Sequence, residues 1–327
     1  MKRVMVTQIG TPQEGLSVCN VDPVEPKSGE ILIKVHARPI HPADLLILNG
    51  RHFVKPEFPC SVGIEGIGQV VEHGENVSSP KVGTWVALPF GGTWSEYITL
   101  PAQAAIPLPE GIDLLQGSML ALNPVTVLGL LQGMKAGQWL IHNAANSTVG
   151  RLITRVAKMK GIRSISVVRR PEVREALLTL GADYVLVDGD DLPHQVKECT
   201  DGRGVDRALD AVSGEASGRL FNSVAEGGEL VFYGLLGSNQ IILPSAQTIF
   251  RTVQMRGYSR LRALRALSPS ESEALYSDLL KGFEQGLFHT PILAQFTLDE
   301  VHKAVEMSEE ARGEGKVILI NSDSKGR

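Results

Sequence analysis

Residues Trp139–Pro171 read WLIHNAANSTVGRLITRVAKMKGIRSISVVRRP, and this stretch decides the fold. Trp139-Leu140-Ile141 is a short apolar run of the kind a buried parallel strand needs. A turn of small polar residues follows, Asn143 to Gly150, and then Leu152, Ile153, Val156, Ala157 and Met159 recur at helical spacing. A β-branched run, Ile165-Ser166-Val167-Val168, closes a βαβ unit of about thirty residues. Such a turn can let a dinucleotide diphosphate approach the backbone and rest on the amides that open the helix.

The usual G-x-G-x-x-G fingerprint is degenerate here. Its three positions fall at Ala145, Ser147 and Gly150, so only the last, which allows close helix–strand packing, is glycine. More telling is the end of the second strand. A carboxylate there would bind the adenosine ribose diol, but the residues are Arg169 and Arg170. Two guanidinium groups suit a 2′-phosphate and leave a free 2′-hydroxyl without a partner. The alternative is a solvated basic loop. The order strand, turn, helix, strand, basic pair favours NADP(H) over NAD(H).

Composition bounds the rest. The 327 residues suggest about two domains. Apolar content of 43%, charged content of 21% and a net charge of −4 describe a soluble globular chain with no nucleic-acid or anionic-membrane surface. Three cysteines, Cys19, Cys60 and Cys199, stand far apart in no CxxC pair, which fits free thiols and excludes a four-cysteine zinc lobe. With no signal-type apolar segment at the N-terminus and no apolar run long enough to span a bilayer, the expectation is a cytoplasmic protein.

Up to about residue 118 the pattern is β-rich and punctuated by Pro and Gly. Glu30–Ala37, Gly68–Glu72 and Thr84–Leu88 alternate as strands, which suggests a compact, partly open barrel. From Pro124 onward helices and strands alternate: a helix over Val125–Leu131, the βαβ unit, a helix over Glu172–Leu180, a strand Tyr184–Val187 and a helix near Leu192–Cys199. Strands at Arg207–Ala211, Glu229–Tyr233 and Val253–Gly257 follow, as expected of a doubly wound parallel sheet. A helix over Asp299–Ser308 and a strand over Lys316–Ile320 end the chain, and Gly10–Gly15 and Ser78–Lys81 read as surface turns.

Taken with HPAD (His41–Asp44), GIEGIGQVVEHGENV (Gly63–Val77), VGTWVAL (Val82–Leu88), LGADYVL (Leu180–Leu186) and GGELVFYG (Gly227–Gly234), the chain resembles a medium-chain dehydrogenase/reductase from end to end. LALNPVT (Leu120–Thr126), HNAANSTVG (His142–Gly150), VVRRPE (Val167–Glu172) and IFRTVQMRGY (Ile249–Tyr258) are similar to the mitochondrial-type 2-enoyl thioester reductases. The resemblance implies an α/β protein with a GroES-like β-rich catalytic domain from both chain ends (1–118 and 290–327) and an inserted Rossmann NADP(H)-binding domain (119–289).

Zinc-dependent members hold a catalytic metal, but the corresponding positions here are His41, Ile64 and a residue near Leu122. One ligand of three cannot hold Zn²⁺, so no metal is expected and His41 reads as a hydrogen-bonded residue of the cleft. Without metal, hydride transfer to the β-carbon of an α,β-unsaturated carbonyl is the natural reaction, followed by a proton to the α-carbon. The family's proton-donating tyrosine falls at His52. Two roles stay open for it: a general acid, since imidazole titrates near neutrality, or a loop residue marking lost enoyl reductase activity.

By resemblance, Asn123 lies at the nicotinamide end, and Asn146, Ser147, Thr148 and Val149 line the diphosphate turn with Gly150. Tyr233, Gly234, Leu235 and Leu236 pass beside the nicotinamide, Tyr258, Ser259 and Arg260 close the other side, and Lys316 reaches the cofactor. Glu65 either serves the site or hydrogen-bonds the barrel backbone. The run Arg251, Arg256, Arg260, Arg262, Arg265 is either a solvated face or a contact for a phosphate-bearing acyl carrier such as CoA. The expected activity is NADPH-dependent reduction of a 2-enoyl thioester. The rivals are an NADPH:quinone or enone oxidoreductase of the zeta-crystallin type and a non-catalytic NADPH-binding protein. A homodimer is expected through Gln240–Leu243 at the sheet edge.

Overall fold

The computed structural model describes residues 1–51, 55–311 and 314–321. The chain forms two compact units, Met1–Leu122 with Leu279–Arg327, and Asn123–Asp278. Each is an α/β or β-rich body with its own core.

In the first unit, β1 (Lys2–Val6) pairs antiparallel with β2 (Leu16–Asn20) and with β4 (Cys60–Ser61). The turn expected at Gly10–Gly15 contains one helical turn, Pro12–Gly15, with proline in its first turn and Glu14 closing a capping box on Thr11. The longest strand, β3 (Glu30–Pro39), pairs with β5 (Gly66–His73) and β7 (Tyr97–Pro101). On the other side of β5 come β6 (Trp85–Leu88) and β8 (Ile106–Pro107). Alternate residues Ile31, Ile33 and Val35 of β3 are buried against Val70, Val86, Leu88, Ile98 and Leu100, the period of two that a one-sided sheet requires.

The second unit carries six parallel strands: β9 (Trp139–His142), β10 (Arg163–Val168), β11 (Tyr184–Val187), β12 (Val205–Asp210), β13 (Val224–Phe232) and β14 (Gln254–Gly257). Their order, β11-β10-β9-β12-β13-β14, reverses direction between β9 and β12. That is the doubly wound sheet the alternation predicted, and its switch point lies outside the carboxyl ends of β9 and β12. β9 is buried throughout. The helix Thr148–Met159 covers it with Leu152, Ile153, Val156 and Ala157, the stripe read from the sequence. β13 begins five residues before the expected Glu229 and ends at Phe232, so Tyr233 stands just past the strand. The sheet edges are β11 and β14. Gln240–Leu243 is no strand, and Ile241 makes only an isolated parallel bridge to Gly214.

Back in the first unit, β15 (Ile292–Thr297) pairs parallel with β16 (Lys316–Ile320), and β16 pairs antiparallel with β3. The expected C-terminal helix is a 3-10 turn, Leu298–Glu300, leading into Val301–Glu310, with Val301, Ala304 and Val305 buried on Val4, Val6, Val317 and Leu319. Arg38, at the end of β3, is fully buried. Its guanidinium donates to the carbonyls of Thr93, Ser95, His36 and Leu319 and to the Asn321 amide oxygen. No carboxylate is among these acceptors, and burial pulls the group down to about 9.

Among the described residues the cysteines are free and no helix is long and apolar enough to cross a membrane. Beneath the helix Thr148–Met159, the buried His142 Nε2 meets Ser166 Oγ at 3.0 Å and Thr154 Oγ1 at 3.3 Å. Burial pushes this imidazole down to about 3, so it folds neutral and must charge on unfolding below about pH 6.5. The folded state therefore binds fewer protons, and stability falls as pH drops from about 6.5 toward 3. We expect wild type to lose about 2 kcal/mol more than His142→Leu between pH 6.5 and 5, measured as the difference in urea midpoints. Parallel pH profiles would disprove it.

Candidate functional site

At the switch point the polypeptide leaves β9 through a tight turn. Ala144 is left-handed, with φ of +49°. Ser147 caps the helix, its Oγ accepting the Gly150 N–H at 3.1 Å. A Cβ on Gly150 would stand 2.5 Å from the Ala145 carbonyl oxygen and 2.6 Å from that of Ala144, so the one glycine kept from the fingerprint is required by close packing. Asn146, Ser147, Thr148 and Val149 are half-buried around the opening of the helix.

The neighbouring loop is braced by a group the sequence reading missed. Asp210, the last residue of β12, is buried and accepts from Asn143 Nδ2 at 2.6 Å, Ser217 Oγ at 2.6 Å and the amides of Val212 and Ser213 at 2.8 and 2.9 Å. Asn143 Oδ1 in turn accepts the Ala211 N–H at 2.7 Å. The Tyr233 N–H donates to the Asp210 carbonyl at 2.9 Å, and the Leu236 N–H to that of Ala211 at 2.9 Å. The loops after β9, β12 and β13 are thereby tied together. No local motif announces Asp210, because its partners lie up to 67 residues away.

Among the described residues the buried Tyr233 hydroxyl has no hydrogen-bond partner, and burial together with the nearby Asp210 charge pushes its ionisation up. Gly234 passes so close that a Cβ would stand 2.8 Å from the Ala211 carbonyl oxygen. Leu236 is exposed. Arg169 and Arg170 follow β10 directly and are both exposed. Among the described residues neither has an ion-pair partner, so two cations stand ready at this strand end. An orphan phenol, a backbone cradle and an exposed basic pair at the carboxyl ends of parallel strands fit a phosphorylated dinucleotide.

Asn123 opens the helix Asn123–Leu130 and is buried. Tyr258 packs its ring against Gly129, where a Cβ would come within 2.1 Å of the hydroxyl. Ser259 is the exposed residue before the helix Arg260–Ala266, while Arg260 is buried. The basic run does not form one free surface: Arg251 pairs with Glu226, the exposed Arg256 pairs with Glu229, Arg260 is buried, and Arg262 and Arg265 are exposed.

The first unit holds a second group of buried polar side chains. His41 Nε2 lies 2.7 Å from Glu65 Oε2, and His41 Nδ1 lies 3.0 Å from Lys316 Nζ, which also donates to the Ile40 carbonyl at 3.1 Å. An ammonium has no acceptor, so His41 Nδ1 accepts and Nε2–H donates to Glu65. Glu65 Oε1 receives the Leu122 amide. Asp44 accepts the His41 N–H at 2.8 Å. Burial raises Asp44 to about 7, and burial lowers Lys316 to about 8 against the pull of Glu65 and Asp44. Lys316 was expected to reach a cofactor; within its unit its ammonium is engaged by His41. His52 lies outside the described residues. Among the described residues no group of three His, Cys, Asp or Glu is placed to hold a metal ion.

A cleft of about 710 Å³ in the first unit, lined by His36, Trp85, Leu114 and Gln295 among others, contains none of the expected site residues.

Two family descriptions match the chain, the alcohol dehydrogenase GroES-like domain over residues 27–110 and the zinc-binding dehydrogenase over residues 148–277. The mitochondrial enoyl-acyl-carrier-protein reductase of Rattus norvegicus is 30% identical over 310 residues, covering 91% of this chain and 83% of its own. That of Homo sapiens is 29% identical over 321 residues, covering 95% and 86%. Among solved structures, a quinone oxidoreductase of Pseudomonas syringae superposes with a TM-score of 0.87 at 25% identity, covering 98% of this chain and 99% of its own. An Escherichia coli quinone oxidoreductase complexed with NADPH has the same fold, with a TM-score of 0.88 at 24% identity, covering 98% and 100%. The β-rich unit from both chain ends, the doubly wound sheet and these relatives agree: the chain belongs to the medium-chain dehydrogenase/reductase family.

Proposed function

We propose that this protein is an NADPH-dependent, zinc-independent reductase of activated C=C bonds acting on 2-enoyl thioesters. One observation carries the reading: kinship to enoyl reductases over 91% of the chain in a protein whose second nucleotide-binding strand ends on two exposed arginines. When bound, NADPH supplies the hydride. Arg169 and Arg170 hold its 2′-phosphate, the amides of Asn146, Thr148 and Val149 face its diphosphate, and Tyr233–Leu236 with Tyr258–Arg260 flank its nicotinamide end. The Asn123 amide orients the carbonyl that gathers negative charge as hydride adds. The proton for the α-carbon is assigned to His52.

Zinc-independence is supported by how the polar groups are spent. Both ring nitrogens of His41 are engaged, by Glu65 and Lys316, and the next ligand position is the apolar Ile64. A zinc ion would have to displace a buried ammonium and would find too few ligands. A second reading, NADPH:quinone oxidoreductase, is supported by the quinone oxidoreductase structure at 25% identity and places the coenzyme in the same residues. We also propose a homodimer. Phe250 and Ile249 are 85% and 72% exposed beside the edge strand β14, an apolar surface suited to a second copy.

Arg169→Gln with Arg170→Gln is expected to cut the preference for NADPH over NADH on the order of 100-fold, as two charge-assisted hydrogen bonds are removed. Equal coenzyme affinities in the wild type, measured by calorimetry, would end the NADPH assignment. After dialysis against EDTA, the protein should consume NADPH with crotonyl-CoA faster than with a small quinone, and His52→Phe should lower that rate at least about 10-fold. Faster turnover of the quinone would select the second reading, and turnover of neither would leave a coenzyme-binding protein. Sedimentation should report a dimer that Phe250→Asp dissociates. A wild-type monomer would refute it.

A further inference from the structure

The diphosphate turn has lost two of the three glycines that ordinarily shape it, leaving Ala145 and Ser147. It nevertheless places Ala144 at φ of +49°, a conformation that costs an L-residue energy and persists only where neighbours hold it. Side-chain and backbone hydrogen bonds brace the residues that follow it. Arg151, in the first turn of the helix Thr148–Met159, folds back over the loop: Nη2 donates to Asn146 Oδ1 at 2.7 Å and Nε to the Asn146 carbonyl at 3.3 Å. The Arg151 N–H donates to the Ser147 carbonyl at 2.9 Å, and the Ser147 N–H to that of Ala144 at 2.9 Å. One guanidinium thus grips both the side chain and the backbone of the residue at the crown of the turn. A planar two-point donor is suited to that grip and a lysine is not.

We propose that Arg151 is a positioning residue for the coenzyme diphosphate: by clamping Asn146 it does for this turn what glycines do elsewhere, keeping the amides after β9 aimed at the diphosphate. The inference rests on the NADPH reading above. It predicts a signature different from that of Arg169 and Arg170, because the diphosphate is common to both coenzymes whereas the 2′-phosphate is not.

The test uses the full chain and calorimetric titration with NADPH, NADH and adenosine 2′,5′-bisphosphate, which keeps the 2′-phosphate but has no diphosphate. Arg151→Gln should weaken NADPH and NADH by the same factor, about 10-fold, and change adenosine 2′,5′-bisphosphate by less than about 2-fold. Arg151→Lys should lose as much as Arg151→Gln. Asn146→Ala should lose a similar factor, and the double variant Asn146→Ala, Arg151→Gln should be no worse than the worse single one, as for two halves of one contact.

Unchanged NADPH affinity in Arg151→Gln would overturn the proposal. So would full retention by Arg151→Lys, which would make the charge alone sufficient, or additive losses in the double variant. An equal loss of adenosine 2′,5′-bisphosphate would overturn it as well, by showing general damage to the unit. Should wild type bind no NADPH, the coenzyme reading falls and this inference with it. Should wild type bind NADPH while Arg151→Gln binds it as well, only the clamp is wrong.

Discussion

The nucleotide unit depends on a single carboxylate. Asp210 ends β12 at the point where strand order reverses, and its side chain accepts four hydrogen bonds from residues of two loops and a helix. A buried carboxylate is tolerated only when its lone pairs are filled. Here filling them fixes the path of the chain after β9 and after β12. The main chain of the same residue holds Tyr233, so three separate loops take their positions from one group. The floor on which a coenzyme would lie is set before any coenzyme arrives.

The GroES-like unit solves a different electrostatic problem. His41, Glu65 and Lys316 put a carboxylate, an ammonium and an imidazole into a buried interior. They remain there because every contact alternates donor with acceptor: carbonyl, ammonium, imidazole, carboxylate, amide. Replacing one member would leave its neighbours with an unfilled valence, which costs more than the contact itself contributes. The Leu122 amide bound by Glu65 ends the first segment of this unit.

Much of the fold was legible because its signals are local. The apolar β9 with the stripe Leu152, Ile153, Val156 and Ala157 defines a βαβ unit by spacing alone, and alternation along Glu30–Ala37 marks β3 equally well. Arg169 and Arg170 were legible for the same reason, being adjacent to the strand that presents them. Contacts between residues distant in sequence were not legible. Nothing in KVILI announces that its lysine meets His41, 275 residues earlier. Five arginines between Arg251 and Arg265 look like one basic face until Glu226 and Glu229 are found beside two of them. Gln240–Leu243 has the composition of a strand, but its backbone is drawn to Gly214 and the edge is left to β14.

Arg38 has a consequence for how the protein is made. Its guanidinium waits on the Leu319 carbonyl and the Asn321 amide, and β3 waits on β16 to cover one edge. These residues are synthesised after the whole of the nucleotide unit. The stretch Asn123–Asp278 is continuous and is fully synthesised while the barrel ahead of it still lacks β15 and β16 and carries an unsatisfied interior cation. Translation therefore imposes an order in which the nucleotide unit matures first and the barrel, though begun earlier, closes last.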